Sequence, residues 1–217
     1  MFENIKIKFK EKADPNQAYM LKKYMRGQFE FYGLHSPIRR NCYHDFLKQE
    51  KRKKEIDWQL LNEAWQDKYR ESQYFVCDYL IAMQKYLTYD DMPKIEQFVR
   101  SKQWWDTIDS LIKPIGKLGL RDEKVNTLML KWSQDSDLWV RRVAIEHQLL
   151  RKDKMNSELL KQILINNLDS NEFFINKAIG WALRDYSKTN PNWVKNFIEQ
   201  NKDHLASLSI KEGSKYL

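Results

Sequence analysis

Residues 173–186 read FFINKAIGWALRDY, and their spacing sets the class of the whole chain. Ile175, Ala178, Ile179, Ala182, Leu183 and Tyr186 fall at i, i+3, i+4, i+7, i+8 and i+11, the register of one buried stripe on an α-helix. YFVCDYLIAMQKY (74–86) and LWVRRVAIEHQLL (138–150) carry the same helical spacing, and sustained strand-like alternation is hard to find. Glycine is rare, at 6 residues, and the five prolines, 15, 37, 93, 114 and 191, fall between periodic segments or at their starts, where proline is tolerated. The expectation is an all-α chain with helices at 2–11, 15–27, 37–49, 57–66, 71–86, 92–102, 104–113, 121–132, 137–150, 156–167, 171–186, 191–199 and 206–214. Asp169-x-x-Glu172 has the spacing of a capping box, and Ser136 followed by Asp137 marks another helix start.

A weak period runs through these helices. Those containing Cys77, Ile108, Val143 and Ala178 recur every 31 to 35 residues and alternate with helices such as 121–132 and 156–167. This suggests stacked helical pairs in the manner of HEAT repeats, a solenoid whose inner helices line a concave face; an ordinary helical bundle is the alternative. We expect one domain over residues 1–217.

Composition narrows the partners. Lys+Arg number 38 against 30 Asp+Glu, a net charge of +8, which favours a polyanionic partner such as nucleic acid or an anionic membrane surface; a merely basic soluble protein is the alternative. Cys42 and Cys77 are the only cysteines, so neither a disulfide framework nor a CxxC motif is available. His35, His44, His147 and His204 are dispersed without metal-ligand spacing, so neither metal nor cofactor is expected. The N-terminal MFENIKIKFKEK lacks the apolar region of a signal peptide, and no apolar run approaches the roughly 18 residues of a membrane span. A soluble, cytoplasmic protein is expected.

Site residues separate from core residues by their direction. At about 100° per residue, Trp181 points roughly 130° away from the centre of the Ile175–Tyr186 stripe. Lys177 at i−4 and Arg184 at i+3 flank it, so a ring sits between two cations on one face. Cations for phosphates and rings for bases or sugars are what a nucleic-acid surface needs; packing of Trp181 against a neighbouring repeat is the alternative. Arg142 lies one turn from Leu138, Trp139 and Ile145 in a helix that is apolar round most of its circumference. It must find an anion, either a phosphate or a carboxylate of an adjoining repeat. In SKQWWDTIDS (101–110), Trp104 shares a stripe with Ile108 and is assigned to the core. Trp105 and Asp109 stand at i and i+4 on another face, while Asp106 is placed at the solvated side of the first turn.

At these residues the chain resembles the AlkD-like DNA alkylation repair glycosylases, which are built from HEAT-like helical repeats. The resemblance is carried by YMRGQFEFYGLHSPIRR (24–40), SKQWWDTIDS, LWVRRVAIEHQLLRKDKM (138–155) and SNEFFINKAIGWALRDYSKTNP (170–191), in order along nearly the whole chain. It implies that Trp105 and Trp181 pack on the deoxyribose of a damaged nucleotide, with Asp109 as the catalytic carboxylate. Tyr24 would contribute to the same cleft, Arg142 would hold the DNA backbone, and Lys177 and Arg184 are read as phosphate contacts. The implied reaction is hydrolysis of the N-glycosidic bond of N3- or N7-alkylated purines in double-stranded DNA, by a monomer that is nucleoid-associated when bound to DNA. A non-catalytic DNA-binding repeat protein and a protein-binding scaffold are the competing readings. The tail beyond about residue 203 matches no motif and receives no role.

Overall fold

The computed structural model describes residues 1–217 and is all-α: thirteen α-helices and no strand. The chain divides into two compact units, residues 1–87 and 88–217. The first holds α1 (Phe2–Glu11), α2 (Pro15–Tyr24), α3 (Ser36–Lys53), α4 (Trp58–Gln66) and α5 (Arg70–Met83). The second holds α6 (Met92–Val99), α7 (Trp105–Gly119), α8 (Glu123–Trp132), α9 (Leu138–Glu146), α10 (Ser157–Ile165), α11 (Phe173–Ser187), α12 (Pro191–Gln200) and α13 (Ser207–Gly213).

Short polar side chains start many of these helices. Asp14, Asp57, Asp122, Asp137, Asn156 and Asn190 each accept a hydrogen bond from a backbone N–H of the helix that follows, satisfying donors that have no partner within the helix. Pro15, Pro37, Pro93 and Pro191 sit in first turns, where a missing N–H costs nothing.

In the first unit the core is aromatic. Phe2, Phe9, Tyr43, Phe75 and Tyr79 are all buried, with the Tyr43 and Phe75 rings 5.1 Å apart. The turn at residues 31–34 is bound from within the unit by the buried Glu71 carboxylate, which accepts from Tyr32 N, Gly33 N and Leu34 N. Gly33 is obligatory there: its φ is +93°, and an added Cβ would stand 2.1 Å from the carbonyl oxygen of Asp14. α2 contributes no buried residue, so Tyr19, Met20 and Tyr24 face solvent.

The second unit is built in two rows. α7, α9, α11 and α13 pack in order, and α8 and α10 pack on each other beside them. Side chains tie successive pairs at nearly constant separation: Gln103 to Asp137, Asn167 to Ser133, Arg151 to Gly116 and Ser209 to Asn176 are bonded across 33 to 35 residues. That spacing agrees with the period of the sequence.

Three sequence expectations need correction. α7 does not end before Pro114 but runs through it to Gly119. Proline inside a helix costs about 3 kcal/mol, whereas Ile108, Leu111, Ile112, Ile115 and Leu118 are all buried along this helix, each worth about 1.5–3 kcal/mol. Burial wins. α9 ends at Glu146, four residues early, and Leu150 and Lys152 then take left-handed φ values of 65° and 53°. No capping box forms at Asp169: it too is left-handed, at φ 60°, its N–H donates to the His204 carbonyl, and Glu172 occupies the cap position without a side-chain bond.

Candidate active site

The stripe of α11 is buried as its spacing predicts, from Ile175 to Tyr186, and Trp181 is left half-buried on a different side. Two cations on α11 lie beside that ring, Lys177 Nζ at 6.0 Å and Arg184 Cζ at 5.9 Å from its centroid. A third comes from α9: the Arg142 guanidinium stands 5.2 Å from the same centroid. Cations at such distances are attracted to the negative face of an indole.

Arg142 is the hinge of the arrangement. Its side chain is only 1% exposed, and it resolves the two alternatives for its anion in favour of a protein carboxylate in this structure. Nε donates to Asp109 Oδ1 at 2.9 Å and Nη2 to Asp109 Oδ2 at 3.0 Å, a two-pronged pair of the strongest kind. Nη1 donates to the Phe174 carbonyl at 2.7 Å, which fastens α9 to the first turn of α11. Asp109 on α7 is the outer end of this network, with 21% of its side chain exposed. A carboxylate has about four lone-pair positions, so the fork of Arg142 leaves each oxygen able to accept again.

Trp105 opens α7, one turn before Asp109, and is half-buried. Trp104 stands ahead of the helix in an extended conformation, not within it. Its half-buried ring packs against Trp139 (5.8 Å) and Phe174 (5.4 Å) in an aromatic cluster. Asp106 is buried at 9% exposure, a correction to the expected solvated position, and its carbonyl accepts from Ser110 Oγ. Tyr24 belongs to the first unit, where it ends α2 at 67% exposure.

Two acidic residues of this region escaped the sequence reading. Glu212, on α13, receives Lys177 Nζ at 2.6 Å and Arg184 Nη1 at 2.7 Å, so both α11 cations beside Trp181 are bound to the segment that had received no role. The hydrogen bond from Lys177, reinforced by the charges of Lys177 and Arg184, holds the Glu212 carboxyl below its ordinary range. α13 comes this close because residue 180 is glycine; a Cβ there would meet the Glu212 Cβ at 2.6 Å. The second is Glu146, one turn after Arg142 on α9, with a wholly buried side chain. The signal for it was the one that singled out Arg142: a charge in a helix apolar round most of its circumference. His147, next along, is pushed down to about 3 by burial and by the charge of Arg151, against its bond to the Ala144 carbonyl. It is neutral and holds the end of α9 together.

No group of three or more His, Cys, Asp or Glu side chains is arranged to hold a metal ion, and no helix is long and apolar enough to cross a membrane.

A structure of a protein from Enterococcus faecalis, described as a predicted DNA alkylation repair enzyme, superposes with a TM-score of 0.86 at 33% identity, over 94% of this chain and 96% of that one. A crystal structure of smu.31 from Streptococcus mutans UA159 shares the fold, with a TM-score of 0.60 and 20% identity over 82% of this chain and 97% of that one. No curated protein matches. The sequence model of the DNA alkylation repair enzymes matches residues 5–217, and the chain therefore belongs to the DNA alkylation repair enzyme family.

Proposed function

We propose that the protein is a monofunctional DNA glycosylase that hydrolyses the N-glycosidic bond of cationic N3- or N7-alkylated purines, with Asp109 as the catalytic carboxylate. The observation that carries this reading is the pinning of Asp109: a partly exposed carboxylate held by both oxygens on a buried arginine that also approaches the Trp181 ring. A purine alkylated at N3 or N7 is already positive and leaves readily. The transition state therefore needs less an acid for the base than a partner for the sugar, which becomes an oxocarbenium ion. A fixed carboxylate stabilises that developing charge more than it stabilises the neutral sugar, without having to reorganise during the reaction. Trp181 and Trp105 supply ring faces that attract a positive sugar. Asp109 also orients water, whose oxygen bonds to the anomeric carbon as the base departs with the bonding electrons; the water's proton passes to solvent through the carboxylate. The products are the free base and an abasic site.

Base excision of this kind belongs to double-stranded DNA repair in the cytoplasm; in this reading Tyr24 of the first unit and Lys177 and Arg184 of the second, HEAT-like unit contact DNA, and Arg142 acts through Asp109. The decisive measurement is release of 7-methylguanine or 3-methyladenine from methylated duplex DNA. Wild type is expected to exceed Asp109→Asn by about a hundredfold, which is roughly 3 kcal/mol of transition-state stabilisation. Equal release by the two proteins leaves a DNA-binding repeat protein without this catalysis.

A further inference from the structure

The proposed reaction makes no use of Glu146, yet this carboxyl lies in the same network as Asp109. Its side chain is 0% exposed, and Arg142 Nη2 stands 2.9 Å from its Oε1. The same Nη2 already donates to Asp109, and the other two guanidinium nitrogens are bonded to Asp109 and Phe174. Neither Oε of Glu146 receives an aligned hydrogen bond. Two carboxyl groups thus share one guanidinium, and as two carboxylates neither has a hydrogen to give the other. Both carboxyls lie against that Nη2, at 2.9 and 3.0 Å, so one added proton removes the excess charge and lets one carboxyl donate to the other.

We propose that Glu146 is a positioning residue, kept as the neutral acid and donating its proton to Asp109, so that the catalytic carboxylate is oriented by this bond as well as by Arg142. Burial, and then the charge of Asp109, push the Glu146 carboxyl well above its ordinary range against the opposing pull of Arg142. Burial, Asp109 and Arg142 set this balance; α7, which packs on α9, also carries the buried Asp106. On α11, Lys177 and Arg184 are bound to Glu212, and the buried residues of α8 and α10 are uncharged. The consequence is that Arg142 faces a single anion, Asp109, while Glu146 holds its proton, and that the network gains a second, repelling anion as pH rises through the Glu146 pKa. This inference rests on the catalytic assignment of Asp109, but the protonation it requires is measurable without catalysis.

The test compares wild type with Glu146→Gln, which is uncharged at every pH and still offers a hydrogen-bond donor. Two quantities are followed from about pH 5 to about pH 9: the thermal midpoint of the DNA-free protein, and single-turnover base release from methylated duplex. The folded state binds a proton that the unfolded state gives up near the ordinary carboxylate pKa. Wild-type stability is therefore fully present below that range and falls as pH rises to the raised folded value. The midpoint of Glu146→Gln should gain on wild type across that interval, and the wild-type rate should fall across it while the Gln variant stays level. A midpoint difference that does not change with pH overturns the neutral acid, whether or not base is released. Absence of base release from wild type sinks the glycosylase reading alone, since the melts still decide the proton. Glu146→Leu, which fills the space without a donor, should release base about tenfold more slowly while folded. An undiminished rate in a folded Leu variant overturns the positioning role; if that variant does not fold, the Gln comparison stands by itself.

Discussion

The two units each bury a carboxylate against arginine, and they do so with opposite charge balance. In the first, Asp78 on α5 is held by three groups of α3: Arg39 and Arg40 contact it at 3.2 Å, and the Tyr43 hydroxyl donates to it as well. Burial would raise the Asp78 pKa, but the hydrogen bond from Arg40 and the charge of Arg39 overcome it and hold the carboxyl below its ordinary value. In the second unit, Asp109 and Glu146 divide a single guanidinium. Cations in excess make Asp78 a strut that is charged at neutral pH. Anions in excess give the Asp109 network a proton to hold and a partly open carboxylate to offer. A shared vocabulary of Asp and Arg therefore serves support in one place and proposed chemistry in the other, and the count of charges tells them apart.

The sharpest way to break the comparison is to remove the single cation of the second unit. Arg142→Met strands the buried Glu146 carboxyl and the partly exposed Asp109 carboxylate and should cost about 3–5 kcal/mol of stability in urea unfolding near neutral pH. Adding Glu146→Leu should recover part of that loss, because one of the stranded groups is gone. Asp109→Asn comes next, with about a hundredfold loss of base release and a much smaller change in stability, since an amide still accepts from Arg142. For the strut, Asp78→Asn should cost about 1–3 kcal/mol near neutral pH. Its pH dependence has the sign opposite to that of Glu146. The stabilisation by Asp78 is present above the ordinary carboxylate range and is lost as pH falls through its lowered pKa, so the gap between wild type and Asp78→Asn should close in acid. A gap that persists in acid would mean that shape, not charge, is what Asp78 supplies.

The smallest expected effect tests the other acid. Glu212→Gln releases Lys177 and Arg184 from their shared carboxylate. If both then meet phosphate, duplex DNA should bind severalfold more tightly at low salt, and the plot of log affinity against log salt should steepen by about one to two units. Fluorescence anisotropy across a salt series reads both, and an unchanged slope would show that the two cations do not face the backbone.

Most of the fold is legible in the sequence because helical periodicity, Asp and Asn caps and first-turn prolines are local signals. Failures occur where a local signal meets a distant contact. Pro114 reads as a stop, but the stripe of α7 buried on both sides of it carries the helix on. Asp169 and Glu172 have capping spacing, yet the bond from the Asp169 N–H to the His204 carbonyl, 35 residues away, draws the chain into another turn. Within the site, Trp181 and Arg142 could be singled out as residues that break an apolar pattern. Which anion Arg142 takes was not legible, since Asp109 lies 33 residues away and only packing of α7 on α9 brings it there. Glu212 was hidden for a related reason: nothing near it in sequence marks the cations on α11 as its partners.

The near-constant spacing of the side-chain ties in the second unit has a mechanical meaning. Bonds such as Arg151 to Gly116, Arg142 to Asp109 and Lys177 to Glu212 each span one helical pair, like rungs spaced evenly up a ladder. In a repeat stack of the kind proposed, stability is passed from neighbour to neighbour rather than pooled. Fraying should therefore begin at the final rung, where α13 leaves α11, and loosen the Trp181 helix before it disturbs Asp109. Hydrogen exchange would see it as a gradient of protection rising from α13 toward α7.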